Sequence, residues 1–493
     1  MEEERRDSMV SNNVPLNSDD ITMVLPEEKL KWCTIKINEI IEKDFRVDAG
    51  VFSIEAKHAY EIVQNNSLGY VRLLGEDGLI EEAFYPNRFK RIYVEKEYGE
   101  EFYLPSQINE INPKPSKFIS SKTKCNLEEL KLKEKTLLLT RSGTIGNCTI
   151  VSETLKNKIF SDDVIRIKFK DDIDLGYVYA FMKTKVGLAL IRNNQYGSVV
   201  SHVEPEHLKE VIIPNADIEF KNKINELIVN SFKCRDESNE MIELAKRILI
   251  KELELNDISE DLKFESEVNC FQVSLNTLNI RFDSSYHIPV NQNIINNINK
   301  EKCEIIKLGD KRLSKNITLP GRFKRVYVEE GQGTLFFGGK QIYELAPNSD
   351  KFLSTNKHGK RISDELEIRE NMVLITRSGT IGKVTLAPKH WENWVVNEHV
   401  IRVIPADDSV VGYIYAFLDT DYGLEFIKKF TYGSVVDEID TTHVSEINIP
   451  VIKDREKFKI INDLVLNANL KRTEAYNLQS KAINKINNEL LSI

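Results

Sequence analysis

The sequence predicts an α/β (α+β) protein built from two duplicated modules of mixed helix and strand, each followed by a long helix. Three observations predict this. The seven-residue sequence Thr-Arg-Ser-Gly-Thr-Ile-Gly occupies positions 140–146 and occurs again, unchanged, at 376–382. Shorter matches flank both copies at a nearly constant distance along the chain. Each copy is followed by a long amphipathic stretch without proline or glycine, at 218–255 and 454–491.

The flanking matches indicate that a whole module is duplicated. Segment 88–95 matches 322–329 at an offset of 234 residues, and the other matched segments have an offset of 236. Solenoid repeats have much shorter periods of roughly 20–50 residues. The sequence therefore predicts two copies of one module of about 200 residues. The other matches are 164–167 with 400–403, 176–181 with 412–417, and 196–200 with 432–436.

The predicted modules cover 32–215 and 270–451. Short runs of β-branched and aromatic residues bounded by turn residues, such as 136–140, predict a substantial antiparallel or barrel-like sheet in each module. Apolar residues at helical spacing predict a helix over 174–191. The acidic segment 1–28 has no hydrophobic periodicity and is predicted to be a disordered tail.

The stretches 218–255 and 454–491 predict two unusually long helices. The first would be about 57 Å long at 1.5 Å per residue, much longer than the usual globular helix. An amphipathic helix of this length needs a partner for its apolar face. The two helices are therefore predicted to pair as an antiparallel coiled coil that holds the modules apart. The alternative is that each helix packs only on its own module.

Bulk composition limits the class of protein. A charged fraction of 29% and a hydrophobic fraction of 41% are typical of globular proteins. No run of 18 apolar residues occurs, so no membrane span is expected, and Met1–Arg6 lacks the features of a signal peptide. The six cysteines form no CxxC pair, which predicts free thiols in a cytoplasmic protein. The net charge is −9, of which residues 1–28 contribute −6, so the near-neutral remainder permits DNA binding through local patches.

The duplicated heptapeptide carries the first candidate binding residues. It follows one predicted strand and precedes another, and its two glycines allow tight turns. Arginine, serine and threonine together offer donors suited to phosphates and base edges. The alternative is a hairpin whose arginine satisfies a carboxylate within the fold. The candidates are Arg141, Ser142, Thr144, Arg377, Ser378 and Thr380.

Two further duplicated segments supply candidate DNA contacts. Three cations around one phenylalanine suit phosphate contacts, although a guarded strand edge would have the same composition. A Tyr-Gly-Ser segment offers a hydroxyl or a stacking ring, although it could equally be a structural turn. The cationic candidates are Arg88, Lys90, Arg91, Arg322, Lys324 and Arg325. The Tyr-Gly-Ser candidates are Tyr196, Ser198, Tyr432 and Ser434.

The sequence offers no catalytic or metal site. Asp48, Glu55 and Lys57 superficially match a nuclease pattern, but Glu55 and Lys57 correspond to Val290 and Gln292 in the second copy. The phosphate-binding pattern GxxxxGK[ST] is not met. No tetrapeptide of an amino-methyltransferase occurs, and no histidine has a second ligand at metal spacing. We therefore expect no catalytic residue, no metal and no cofactor bound by this chain.

In combination, these motifs resemble the specificity (S) subunits of type I restriction-modification systems. The resemblance covers about 32–491 and rests on the order of the motifs, which occurs twice. Each module begins with Arg-x-Asp, at 46–48 and 281–283, and continues with the strand-flanked Arg-Ser-Gly-Thr-Ile-Gly. Each then has Tyr-Gly-Ser and a terminal strand, as at 207–214, which runs into the long helix.

The resemblance implies a non-catalytic DNA-recognition subunit. Each module would be a target recognition domain that reads one half of a bipartite double-stranded DNA site. The two helices would set the spacing and bind two copies of a DNA adenine methyltransferase (M) subunit, which carries the S-adenosylmethionine. A motor-nuclease (R) subunit is a further implied partner. Two other classes stay open, a duplicated protein-interaction scaffold and a fused nuclease or methyltransferase with unrecognised motifs.

Sequence specificity is expected where the two copies differ most. These segments are 96–135 against 330–371, and 153–163 against 389–399. Replacing 96–135 with the equivalent segment of another family member should change one half-site and leave the other unchanged. Selection of bound DNA from a random library measures this. A swap that altered neither half-site would contradict the assignment.

The helices are expected to act as the spacer. Inserting one heptad between Leu227 and Met241 should change the gap between the half-sites without changing either half. The same library selection reports the gap, and an unchanged gap would mean that the helices do not set it.

Overall fold

The computed structural model describes residues 35–42, 45, 52–193, 202–255, 258, 270–275, 278, 281–298, 300–433 and 437–492. The predicted tail 1–28 lies outside these residues, as do Arg46 and Asp48. The elements below are those of the described residues.

The first module combines short helices with short strands. Its helices are α1 (Ile37–Glu42), α2 (Ile54–Gln64), α3 (Leu127–Leu130), α4 (Asp172–Met182) and α5 (Lys185–Asn193). Its strands are β1 (Tyr70–Arg72), β2 (Ile80–Phe84), β3 (Tyr93–Val94), β4 (Glu100–Tyr103), β5 (Lys117–Ile119), β6 (Leu137–Thr140), β7 (Cys148–Ile150), β8 (Ile159–Phe160), β9 (Val164–Phe169) and β10 (Ile212–Pro214). The long helix α6 (Ile218–Glu252) follows.

The second module has a closely similar order of elements. Its helices are α7 (Ser284–His287), α8 (Val290–Asn297), α9 (Thr355–Arg361), α10 (Asp408–Leu418), α11 (Asp421–Lys428) and α12 (Thr441–Ser445). Its strands are β11 (Cys303–Lys307), β12 (Ser314–Thr318), β13 (Tyr327–Val328), β14 (Gly333–Phe337), β15 (Phe352–Ser354), β16 (Val373–Thr376), β17 (Val384–Leu386), β18 (Val395–Val396), β19 (Val400–Pro405) and β20 (Asn448–Ile452). The second long helix, α13 (Arg455–Lys485), ends in a π-helical segment, Ile486–Leu491.

The strands of each module pair in the same way. The first module has an antiparallel sheet β2-β9-β6-β7 and a sheet β3-β5-β4-β8 whose last pair is parallel, and the second has β12-β19-β16-β17 and β13-β15-β14-β18. Each of these sheets ends in two edge strands. The expectation of barrel-like sheets is therefore wrong for the described residues: the short strands divide into separate open sheets.

Strand β6 shows why these sheets sit inside the modules. Leu137 and Leu139 pack with helix α4 on one face, while Leu138 packs with Tyr103 and Phe160 on the other. All four residues of β6 are buried. A strand buried on both faces reads as a continuous apolar run, and the duplicated heptapeptide begins at its end.

The helix predicted over 174–191 is two helices. The break falls between α4 and α5, where the Thr184 hydroxyl oxygen accepts the Gly187 N–H at 3.0 Å. Gly187 also lies against the Phe181 carbonyl, 2.1 Å from where a Cβ would be. The apolar spacing continues across the break because both helices pack on the same core, so the periodicity alone did not reveal the break.

Helices α6 and α13 pack on each other in antiparallel orientation. Ser231 Oγ donates to the Ala475 carbonyl at 2.7 Å, Arg472 Nε donates to Ser238 Oγ at 3.1 Å, and Lys457 Nζ lies 2.7 Å from Glu252. Successive residues of α6 therefore contact residues of decreasing number in α13, as antiparallel packing requires.

Each long helix is shared by both modules. Ile224 and Ile228 of α6 belong to the core of the first module, and Leu249 belongs to the core of the second. Helix α13 does the reverse, since Ile461 packs in the second core and Ala482 in the first. The alternative that each helix packs only on its own module is therefore wrong.

A buried arginine links the sheets of each module. Arg402, 1% exposed, donates to the carbonyls of Val400, Leu366 and Val396 at 3.0, 3.1 and 2.6 Å. Burial lowers the pKa of its guanidinium to about 10, so the group stays charged at neutral pH. Arg166 donates to the three equivalent carbonyls in the first module.

Replacing Arg402 with methionine should destabilise the protein by at least about 2 kcal/mol, because buried carbonyls would lose their donor. Arg312→Met is the matched control, since the Arg312 side chain is 57% exposed, and its effect should stay within about 0.5 kcal/mol. Denaturant unfolding of the two variants provides the measurement. Equal stabilities would contradict a structural role for Arg402.

Candidate nucleic-acid interface

The duplicated heptapeptide forms a hairpin loop in both modules. Gly143 and Gly146 have φ values of 75° and 91°, and Gly379 and Gly382 have φ values of 77° and 82°. These left-handed conformations favour glycine. A Cβ on Gly146 would also lie 2.5 Å from a Leu188 methyl carbon. The glycines are therefore required by the shape of the loop.

A threonine fixes each loop internally. The Thr140 hydroxyl donates to the Thr144 carbonyl at 2.5 Å, and the Thr376 hydroxyl donates to the Thr380 carbonyl at 2.5 Å. The side chains at the loop tip are thereby held in one orientation relative to the sheet.

The arginine of the loop makes ion pairs within the fold. Arg141 is 6% exposed, pairs with Glu204, lies 3.3 Å from Asp163, and stacks over the Tyr85 ring at 4.3 Å. In the second module Arg377 pairs with Glu438. Both arginines therefore pair with carboxylates of their own module, as the alternative interpretation of the heptapeptide predicted.

The carboxylate partners differ between the modules in a compensating way. Asp163 of the first module corresponds to His399 of the second, whereas His202 of the first corresponds to Glu438 of the second. The arginine therefore finds an acid in both copies on the connection before the terminal strand, Glu204 in the first module and Glu438 in the second, two repeat positions apart, and Asp163 adds another acid in the first module. His399 instead binds the loop, since its Nδ1 lies 2.7 Å from Ser378 Oγ.

The polar loop-tip candidates are accessible. Thr144 and Thr380 are exposed, and Ser142 and Ser378 are half-buried. Their hydroxyl groups stand at the surface of a loop whose base is rigid. A ligand on this surface would meet them without rearranging the sheet.

One cation of each basic segment is anchored. Arg91 lies 2.5 Å from Asp162, and Arg325 lies 2.5 and 2.6 Å from the two carboxylate oxygens of Glu398. Arg325 also packs against the ring of Phe336 at 5.1 Å. These ion pairs position the segment.

The remaining four cations of the two basic segments are exposed and available for phosphate contacts. They are Arg88, Lys90, Arg322 and Lys324.

The third candidate segment is only partly described. Tyr196, Ser198 and Ser434 lie outside the described residues. Tyr432 is 40% exposed, and its backbone pairs with that of Glu438, the residue that binds Arg377.

All three candidate segments of the second module converge. The loop reaches His399, the basic segment reaches the adjacent Glu398, and Tyr432 reaches the loop through Glu438. In the first module the loop and the basic segment meet in the same way, at Asp163 and Asp162.

A groove of about 770 Å³ lies at this convergence in the second module. Its floor includes the loop residues Thr376, Ser378 and Thr380. Its walls come from 338–341 and 348–351, within the segment that differs most from the first module. Among its other lining residues, Tyr327 and Lys351 recur as Tyr93 and Lys117 in the first module, whereas Lys340, Asp350 and Asn397 do not recur. Such a surface combines duplicated hydroxyl groups with non-duplicated donors and acceptors.

Two groups of residues escaped the sequence analysis. The buried Arg166 and Arg402 were visible as part of a duplicated Val-Ile-Arg segment, but no role was assigned to them. The sequence Gln-Ile-x-Glu occurs at 107–110 and 341–344, inside segments treated as dissimilar. Its exact recurrence at the 234-residue offset was the available signal.

The described residues contain no group of three or more histidine, cysteine, aspartate or glutamate side chains that could hold a metal. Among the same residues, no helix is both long and apolar enough to cross a membrane.

The structure is that of a protein in which two similar modules pack on one shared pair of antiparallel helices. Residues 299–474 match the family model of the type I restriction modification DNA specificity domain. This match covers most of the second module and the first part of α13, and it confirms the family resemblance drawn from the sequence.

Solved structures of similar proteins were also found. The S subunit of a type I restriction-modification system from M. genitalium is 16% identical, with a TM-score of 0.32, and covers 87% of this chain and 96% of its own. The HsdS subunit from Thermoanaerobacter tengcongensis is 14% identical, with a TM-score of 0.26, covering 84% and 95%. No curated protein matches the sequence.

Proposed function

We propose that this chain is the DNA specificity subunit of a type I restriction-modification system or of a related methylation-linked defence complex. The observation that carries the proposal is the family match of the second module combined with its duplication. If one module reads a DNA sequence, two modules on one scaffold can read two parts of a bipartite site. The modules differ in their loops, so the two half-sites need not be identical.

The antiparallel packing of the two long helices supports a protein that reads two half-sites. Equivalent surfaces of the two modules are related by an approximate twofold axis, as in dimeric DNA-binding proteins that address half-sites in opposite orientation. The helix pair acts as a coiled-coil spacer between them. Its exposed outer surface binds two methyltransferase subunits, and a motor-nuclease subunit joins that complex.

Within each module we assign the contacts by burial. The exposed cations of the basic segments contact phosphates, which position the protein without specifying the sequence. The loop hydroxyl groups and the groove around them contact base edges, because they combine fixed donors with residues that differ between modules. Arg141, Arg377, Arg91 and Arg325 position these surfaces through their ion pairs.

In this proposal the chain has no catalytic role. Methyl transfer and cleavage belong to the partner subunits, which bring S-adenosylmethionine and the motor-nuclease activity. The chain determines which DNA sequence the complex binds, and it acts in the cytoplasm.

Purification of the tagged chain from its own cells tests the proposal. Mass spectrometry should detect a DNA adenine methyltransferase in about twofold molar excess over the chain, as expected for two docking sites on a pseudo-twofold scaffold. Recovery of the chain without any methyltransferase would contradict the proposed role.

The phosphate contacts predict a specific salt dependence. Each phosphate contact contributes a slope of about −0.9 to log K against log salt concentration. The double variant Arg322→Ala/Lys324→Ala should therefore reduce the slope by about 2 and weaken binding to all sequences alike.

Arg312→Ala is the matched control for this experiment. Its exposed guanidinium pairs with Asp310 and Glu304 on the β11 side of the module, so its slope should equal that of the unmodified protein. Fluorescence anisotropy between 50 and 200 mM salt, a range that separates such slopes, gives both values. A double variant with an unchanged slope would remove these residues from the interface.

A further inference from the structure

The two modules contact each other directly, at a surface that packs against the helix pair. The contact is formed by 107–114 of the first module and 341–348 of the second, which are equivalent in sequence at the 234-residue offset. Glu110 and Glu344, which are equivalent residues, pair as an isolated antiparallel β-bridge. Pairing of a residue with its own counterpart is the arrangement expected on a twofold axis. We call this contact the junction.

Backbone and apolar contacts form the centre of the junction. The Ile111 N–H donates to the Tyr343 carbonyl at 2.8 Å. Ile111 and Leu345, again equivalent, pack with Cys234 of α6 and Ala475 of α13. The junction is therefore seated on the middle of the helix pair.

Ion pairs to buried carboxylates cross the junction. Lys383 Nζ of the second module lies 3.0 Å from Glu110 of the first, whose side chain is 8% exposed. Lys114 Nζ of the first module lies 2.5 Å from the Asp419 carboxylate of the second, and donates to the Asp419 carbonyl at 3.0 Å. Lys246 of α6 lies 3.3 Å from the same carboxylate. One of these clusters thus joins both modules and a long helix.

Lysines match the Asp419 charge at the junction, whereas burial raises the pKa of Glu344 to about 7. Burial by itself would raise the pKa of Asp419, but Lys114 and Lys246 hold that pKa below its ordinary value. The carboxylate is therefore charged and paired at neutral pH. Removing one partner of such a buried pair leaves an uncompensated charge.

The residues at the twofold-related positions differ, which shows that the two sides have diverged: Glu344 is the counterpart of Glu110, but Lys183 stands at the position equivalent to Asp419. Asn147 occupies the position equivalent to Lys383, and Asn348 the position equivalent to Lys114. Asn348 Nδ2 donates to Asn147 Oδ1 at 2.9 Å across the junction. The contact is thus kept on both sides of the axis, with Lys114 and Lys383 on one side and amides at their two equivalent positions on the other.

We propose that the junction sets the rotation of one module relative to the other, and thereby the spacing between the two half-sites, with Glu110, Lys383, Lys114 and Asp419 as positioning residues. This inference rests on the proposed function. The helix pair holds the modules at its two ends, and the junction adds a second attachment between them. Two attachments fix an angle that one attachment leaves free to vary.

Rotation matters because DNA is a helix. Changing the spacer by one base pair moves a half-site by about 3.4 Å and turns it by roughly 35°, given about 10–10.5 base pairs per turn. Bending of the helix pair could accommodate a shift of that size. A locked angle between the modules could not accommodate the turn, so the junction rejects neighbouring spacings. A heptad inserted into α6 alone would also pull the junction apart.

The test uses the full chain assembled with its methyltransferase. Duplexes carry both half-sites separated by the native spacer or by a spacer one base pair longer or shorter, and binding of each is measured. Glu110→Lys should break the pair with Lys383 and reduce discrimination against the altered spacers at least about tenfold. Exchange of the charges, Glu110→Lys/Lys383→Glu, should restore that discrimination.

Two further variants make the outcome decisive. Lys114→Met breaks the other ion pair and should relax the spacing in the same way; it decides the question if Glu110→Lys does not fold. Arg312→Glu, at an exposed ion pair, should keep the native discrimination. Thermal melting confirms that each variant is folded.

The outcomes separate the inference from the proposed function. Relaxed spacing with unchanged half-site sequences supports the inference. Strict native spacing in folded Glu110→Lys and Lys114→Met variants overturns it. If the unmodified complex binds no bipartite site, the proposed function itself fails, whatever the variants do.

Discussion

The structure depends on the antiparallel packing of two long helices, α6 and α13. Neither helix belongs to one module. Each buries its first half in the core of the module that precedes it and its second half in the core of the other. Burial of apolar surface at both ends stabilises helices that could not persist alone in water. Because both helices enter both cores, each module is attached to both long helices, and the helix pair links the two modules.

The duplicated surface motifs divide into residues that build the site and residues that face outward. Arg141, Arg377 and the third cation of each basic segment are ion-paired inside the module. Charge burial is costly without such partners. In each module such polar contacts attach the loop and the basic segment to adjacent residues, and in the second module Glu438 also links Tyr432 to the loop. The exposed cations and the exposed loop residues Thr144 and Thr380 then face solvent, where a ligand can reach them.

The sequence predicted the long helices and the strands around the heptapeptide because both have a local signal, namely periodicity and uninterrupted apolar runs. It did not predict the break at Thr184, because the core contacts of α4 and α5 follow one continuous period. It did not predict open sheets, because strand pairing is set by contacts distant in sequence. The burial of Arg141 likewise depends on Glu204, 63 residues away, and the junction depends on Lys383 and Glu110, 273 residues apart.

The most direct test of the account is to map adenine methylation across the genome in cells with and without this chain. The account predicts that deletion abolishes methylation at one bipartite motif, in which two different half-sequences are separated by a single spacer length, and leaves other methylated motifs unchanged. Methylation that is identical in the two strains, or a lost motif without two separated halves, would contradict it.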